Sequence, residues 1–189
     1  MLQVAARHQV ALAAAVQVTL DDPRCNYYWN EYPTTTGFKL PDNEWTSIDN
    51  VSVVGSALHG YLAATIDRST RTVDSLGIIS FRPGSIVFAR DLQTFFAKLI
   101  LGGWERIGWT VTLGNPAELM YDRLCDRLGG RIVGTQRLLT RSRITGQLLD
   151  RKLYEVIPSE IPQSVLDEVW RLNPNGGSRG FVANSGRRQ

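Results

Sequence analysis

The sequence predicts an α/β domain built on a mixed, mostly antiparallel twisted sheet with helices packed against it, and three observations carry that reading. Two apolar runs flank the polar turn Ser69-Thr70-Arg71 at hairpin spacing. An amphipathic stretch over residues 91–101 joins the apolar runs 72–81 and 104–113, the kind of crossover that links parallel strands. A second helical stretch, 115–130, ends in Gly129-Gly130 and leads into another apolar run.

Residues 2–20 read as an Ala-rich helix with Leu2, Val10, Leu12 and Val16 toward a core, broken by Asp21-Asp22-Pro23. Arg7, His8 and Gln9 interrupt it, so an ordinary helix fits better than a signal peptide. Residues 24–43 cluster Tyr27, Tyr28, Trp29 and Tyr32 among Asn, Thr, Pro and Gly without a period, which is loop composition. An aromatic loop can line a substrate site or fill core, and aromatic residues more commonly fill core.

Runs 45–54, 60–68 and 72–81 read as a three-stranded meander, with Tyr61, Ala63, Thr65 and Asp67 alternating against Leu62, Ala64 and Ile66. The end of the third run is uniformly apolar, as in a strand covered on both faces. Residues 91–101 follow as a helix: Leu92, Phe95, Phe96, Leu99 and Ile100 recur at helical spacing, and Asp91 near the start suits the positive end of the dipole. Gly102-Gly103 stops it, and 104–113 is a strand by the alternation of Ile107, Trp109, Val111 and Leu113.

Asn115-Pro116 ends that strand, and Pro in a first helical turn costs nothing because its missing N–H has no partner there. The helix it opens carries Leu119, Leu124 and Leu128, with Met120 and Tyr121 beside them, on an apolar side; Arg123, Asp126 and Arg127 face out. Runs 131–139 and 147–157 make a last hairpin. Pro158 and Pro162 bracket a linker to a short helix over 164–172, and 173–189 is a Gly, Ser, Asn and Arg tail. The expected division is one domain over 1–158, with 1–50 its N-terminal helix and aromatic loop and 51–158 its core, followed by a helix and tail over 159–189.

Composition narrows the function classes. The 189 residues are 43% hydrophobic and 21% charged, as in ordinary globular domains, with a net charge of +3. No run of some 18 apolar residues is present, so no membrane partner is expected. Cys25 and Cys125 lack metal-ligand or disulfide spacing and read as free thiols in a reducing compartment. His8 and His59 are the two histidines, and no metal site is expected. No Gly-x-Ser-x-Gly elbow supports a Ser-His-Asp triad. Arg123, Arg127, Arg131, Arg137, Arg141, Arg143, Arg151 and Lys152 outnumber the local acids, which leaves a weak nucleic-acid reading beside the commoner one of solvated arginines.

The order of strand, Asn115, a short helix containing Tyr121, Gly-Gly, strand resembles the C-terminal half of the GNAT superfamily of acyl-CoA-dependent N-acetyltransferases, over roughly residues 51–158. Its nearest flavour is the short acetyltransferase-like members of bacteria and their phages, which implies a cytoplasmic enzyme or a virion component. The resemblance makes 45–54, 60–68, 72–81 and 104–113 the strands β2 to β5, with β4 and β5 splayed apart around acetyl-CoA. The sequence offers no clear β1. Asn115 and Tyr121 would border the thioester, with Tyr121 as acid for the departing thiolate. This Tyr lies one residue nearer the Asn than in the commoner members. The pantetheine would lie against Ile78, Ile79, Ser80 and Phe81.

Arg82, Gly84, Ser85 and Arg90 stand where the family holds the CoA pyrophosphate on a turn with two glycines. Here one glycine is present and Pro83 removes a donor. Asp74, or Glu44, would serve as base through water, although either carboxylate also reads as simply solvated. Two readings follow. One is an N-acetyltransferase acting on an amine acceptor. The other is a GNAT-fold binding or structural protein that meets a protein partner through its N-terminal helix or C-terminal tail.

Overall fold

The computed structural model describes residues 1–22, 46–142 and 145–172. Its frame is one seven-stranded sheet in the order β1-β2-β3-β4-β5-β7-β6. The strands are β1 (Leu2–Val4), β2 (Ser47–Val54), β3 (Ala57–Asp67), β4 (Thr72–Ser80), β5 (Arg106–Thr112), β6 (Arg131–Arg141) and β7 (Leu148–Val156). Helices α1 (Gln9–Asp21), α2 (Ile86–Ile100), α3 (Glu118–Arg127) and α4 (Gln163–Leu172) complete it. The meander β2-β3-β4 is antiparallel, and β4 and β5 are parallel, joined through α2 as the crossover predicts. None of the helices among the described residues is long and apolar enough to cross a membrane.

The sheet divides two cores. Leu12 and Val16 of α1 pack with Val51, Val53, Tyr61 and Ile79 on one face. On the other, Phe95, Phe96, Leu99 and Ile100 of α2 meet Leu62, Trp109, Tyr121 and Tyr154, and Ile161 and Val169 of the α4 region join the same cluster. Trp109 and Tyr154, cross-strand partners on β5 and β7, stack with ring centroids 5.2 Å apart.

Four local expectations need correction. Residues 2–20 are not one helix: Leu2–Val4 pair with β2 as the missing β1, a 3-10 turn follows, and α1 begins at Gln9. Val10 is therefore exposed, two positions off the Leu12–Val16 face. Helix α2 starts five residues earlier than its apolar stripe suggests, because Ser85 caps it by accepting the Phe88 N–H at 3.1 Å. Asp91 is consequently inside α2 and buried, where its carboxylate accepts from the Ser52 hydroxyl at 2.7 Å and ties α2 to β2. On α3 the inward residues are Tyr121, Cys125 and Leu128 at i, i+4 and i+7, which leaves Leu119 exposed. The aromatic loop 24–43, Cys25, Glu44, Arg143 and the tail 173–189 lie outside the described residues.

Candidate active site

Strands β4 and β5 touch along only their first residues. Thr72 pairs with Arg106 and Val73 with Ile107, after which β4 keeps β3 as its sole neighbour while β5 continues beside β7 as far as Thr112. The two strands therefore diverge toward their C-terminal ends, and the edge of β4 past Asp74 carries backbone groups with no strand partner among the described residues.

A cleft of about 370 Å³ sits over this divergence, lined by Ile78 and Ser80 of β4, by Gly84 to Ile86, Phe88, Ala89 and Leu92 at the start of α2, and by Asn115, Ala117, Met120 and Tyr121 around the start of α3. Among the described residues its lining carries no charged side chain. Asn115 and Tyr121 both line it, as do Gly84 and Ser85 at the N-terminus of α2. Gly84 has φ +77 and an open space where a Cβ would go, so the turn needs glycine for its backbone and not for room.

The predicted site residues divide accordingly. Ser80, Gly84, Ser85, Asn115 and Tyr121 line the cleft. Ile79 does not: the two-residue period of β4 sends it through the sheet into the α1 core, and Phe81 packs against that same cluster. Ile78 is the apolar β4 residue that faces the opening. Arg82 and Arg90 are exposed flanking residues outside the lining, Arg90 already within α2, and neither guanidinium makes a hydrogen bond or ion pair among the described residues. Asp74 is not brought to the cleft. It pairs with Arg106 at 2.7 Å and accepts from the Thr72 hydroxyl, at the end where β4 and β5 are joined.

Local hydrogen bonds define both helix starts. The Asn115 Oδ1 accepts the Ala117 N–H at 2.8 Å and the Glu118 carboxylate accepts the Gly114 N–H at 3.0 Å, so the start of α3 is held by two side chains. At the start of α2 His59 Nδ1 lies 2.7 Å from the Ser85 hydroxyl. No local pattern joins these two residues. The antiparallel register Gly60–Ser80 carries His59 beside the turn after β4.

Behind Tyr121 a polar cluster fixes α3 on β7. Lys152 Nζ lies 2.6 Å from Glu118 Oε1 and 3.0 Å from Asp122 Oδ1, and Tyr154 donates to that same Asp122 oxygen. The Tyr154 hydroxyl holds the Asp122 carboxyl below its ordinary range, and Lys152 does the same first for Glu118. Glu118 in turn raises Lys152. Burial pushes the Cys125 thiol up, against any use as a nucleophile.

Part of the arginine-rich region is engaged within the molecule. Arg127 pairs with Glu168, Arg131 with Glu155, Lys152 with Glu118, and Arg151 is buried. Among the described residues no group of three or more His, Cys, Asp or Glu could hold a metal ion.

This mixed sheet with its parallel β4–β5 pair and flanking helices is a fold that solved structures share. A spermidine N-acetyltransferase from Vibrio cholerae in complex with CoA and spermine superimposes with TM-score 0.62 at 16% identity, covering 85% of this chain and 96% of that one. The fold is GNAT-like. A ribosomal-protein-alanine N-acetyltransferase from Brucella melitensis gives TM-score 0.61 at 16% identity over 83% of this chain and 99% of that one. A probable GNAT-family acetyltransferase from Chromobacterium violaceum gives 0.58 at 15% over 85% and 87%. No family model and no curated protein matches the chain. The GNAT-like fold is thus carried by topology, with little sequence identity behind it.

Proposed function

We infer that the protein is an acyl-CoA-dependent N-acetyltransferase that moves an acetyl group from acetyl-CoA to an amine. The observation that carries this reading is the divergence of β4 from β5 into a cleft whose described lining is uncharged and includes Asn115 and Tyr121. A pantetheine arm has amides that suit the unpaired edge of β4, in the manner of an added strand, and an apolar wall in Ile78, Phe88 and Leu92. The phosphates fit beside Gly84 and Ser85, where the N-terminus of α2 favours anions and the Arg82 and Arg90 guanidinium groups have no partner among the described residues. The fold shared with an N-acetyltransferase whose structure holds CoA supports the same ligand.

The chemistry follows from that arrangement. The amine nitrogen bonds to the thioester carbonyl carbon, the carbon–sulfur bond breaks, and the Tyr121 hydroxyl gives its proton to the departing thiolate. The surplus proton of the amine passes to water and Tyr121 is reprotonated from solvent. Asp74, paired with Arg106 away from the cleft, takes no part in this scheme.

A second reading, a scaffold that keeps the fold without the reaction, is favoured by the turn after β4, where Pro83 offers no N–H and Ser85 spends its hydroxyl on Phe88 and His59. Calorimetric titration with acetyl-CoA separates the two. Micromolar binding with a raised melting temperature supports the enzyme; no heat and no thermal shift at millimolar acetyl-CoA leaves the scaffold.

A further inference from the structure

The fold brings a histidine of β3 onto the turn where α2 meets the cleft. The His59 carbonyl accepts the Phe81 N–H at 3.0 Å, which fixes its backbone beside residues 82–85, and its half-buried ring reaches the Ser85 hydroxyl at 2.7 Å. That turn has few donors to give. Pro83 has no N–H, the Ser85 N–H goes to the Arg82 carbonyl at 3.1 Å, and the N–H groups of Phe88 and Ala89 go to the Ser85 hydroxyl and carbonyl. Ser85 lines the cleft, and because its hydroxyl oxygen accepts from Phe88, its single hydroxyl proton is the donor it has left. At 2.7 Å stands an imidazole nitrogen able to take that proton.

We propose that His59 sets whether Ser85 binds a phosphate of acyl-CoA. Neutral, with its proton on Nε2, the ring accepts the Ser85 hydroxyl proton at Nδ1. Protonated, Nδ1–H donates to the Ser85 oxygen instead, the hydroxyl proton turns to a phosphate oxygen, and the imidazolium adds a positive charge beside it. His59 is thus a positioning residue that acts through Ser85, and the assignment rests on reading the cleft as the acyl-CoA site. Charged groups on the surrounding elements leave the ring to Ser85. On α2, Asp91 is held by Ser52 and the Met1 ammonium; on β2, Asp49 is held by Ser47 and Tyr61; on β4, Asp74 is held by Arg106. The Arg82 and Arg90 guanidinium groups are exposed, and none of these five residues bonds to the His59 ring among the described residues.

The test is calorimetric titration of the full chain with acetyl-CoA at about pH 5.5 and about pH 8, which spans the range where imidazoles change charge. The parent should bind roughly five- to tenfold more tightly at the lower pH, relative to His59→Asn, whose side-chain amide donates to Ser85 at either pH. The phosphates of the ligand titrate alike with both proteins, so the difference between the two profiles belongs to His59. A merely structural role would lower affinity equally at both pH values. A second measurement needs no variant: by linkage, acetyl-CoA must raise the pH at which the His59 ring signals change by NMR, with His8 as the internal reference. Parallel profiles in parent and variant, or a His59 midpoint that acetyl-CoA does not raise, overturn this inference and leave the cleft reading standing. Failure of acetyl-CoA to bind at either pH removes the cleft reading and this inference together.

Discussion

The Tyr154 hydroxyl donates to Asp122 Oδ1 at 2.7 Å, joining a buried strand residue of β7 to the α3 turn that carries Tyr121. The bond sets where α3 lies against the sheet, and so where Tyr121 meets the cleft. Its two ends are unequal in consequence. Tyr154→Phe leaves Asp122 with Lys152 and solvent and should cost about 1 kcal/mol, whereas Asp122→Ala strands a buried hydroxyl and should cost roughly 2–3 kcal/mol. Urea denaturation of the two variants measures the difference.

The same cluster predicts a pH profile. Asp122 has its carboxyl held low, first by Tyr154, so its contribution is present above the unfolded value of about 4 and is lost as pH falls through the lower folded value. Lys152 is raised, first by Glu118, so its contribution is present below about 10.4 and is lost as pH rises through the higher folded value. Stability of the native chain should therefore be flat in this respect near neutrality, and Tyr154→Phe should weaken the acid limb. Denaturation midpoints at pH 3, 7 and 11 would show it.

Asp67 closes the β3–β4 turn, and its carboxyl is lowered to about 2 because the Ser69 hydroxyl donates to it, followed by the backbone N–H groups of Ser69 and Thr70. A depressed carboxylate stabilises above its unfolded value and ceases to do so as pH falls through the folded one. Asp67→Asn should be less stable than the parent at neutral pH, and the gap should shrink below about 4 and close near 2. NMR titration of the Asp67 carboxyl carbon gives the folded value directly.

Tyr121→Phe removes the proposed acid while keeping the ring against Trp109 and Tyr154. Turnover should fall by about a hundredfold with acyl-CoA affinity unchanged, as for loss of a group used only in the transition state. Steady-state kinetics with an amine acceptor, beside a binding titration, reads both numbers. A parallel loss of affinity would mark Tyr121 as a wall residue alone.

Asn115 serves the helix start through its side-chain oxygen, which an aspartate also supplies. Asn115→Ala should lose about 1 kcal/mol, while Asn115→Asp should retain the parent stability. Thermal melts of the pair decide this.

Gly60 lies under Phe88, and a Cβ there would overlap the Phe88 ring and come within 2.7 Å of the Ile79 carbonyl oxygen. Gly60→Ala should cost about 1–3 kcal/mol through displacement of the first turn of α2. Because Phe88 lines the cleft beside Ser85, acyl-CoA binding should weaken too, a loss that calorimetry reads separately from the melt.

The elements most legible in the sequence were those whose burial repeats within a few residues. The stripe Leu92-Phe95-Phe96-Leu99-Ile100 declares α2, and the hairpin spacing around Ser69-Thr70-Arg71 declares two antiparallel strands. From these the mixed sheet and its parallel β4–β5 pair could be written before any coordinates. β1 escaped because three residues hold no period, and its pairing with β2 is a contact across some fifty positions. The start of α2 escaped because Pro83-Gly84 reads as loop and the Ser85 cap is a single hydrogen bond.

What only the tertiary structure decided is how far β4 and β5 run together. Two paired positions followed by divergence create the cleft, and that register depends on β3 and β7 holding the outer edges of the two strands. His59 and Ser85, Asp122 and Tyr154, and Ile78 and Tyr121 are likewise far apart in sequence and meet only in the fold. Periodicity encodes which face of each element is buried. It carries no term for the spacing between elements, which packing of the whole chain settles, and the candidate site lies in that spacing.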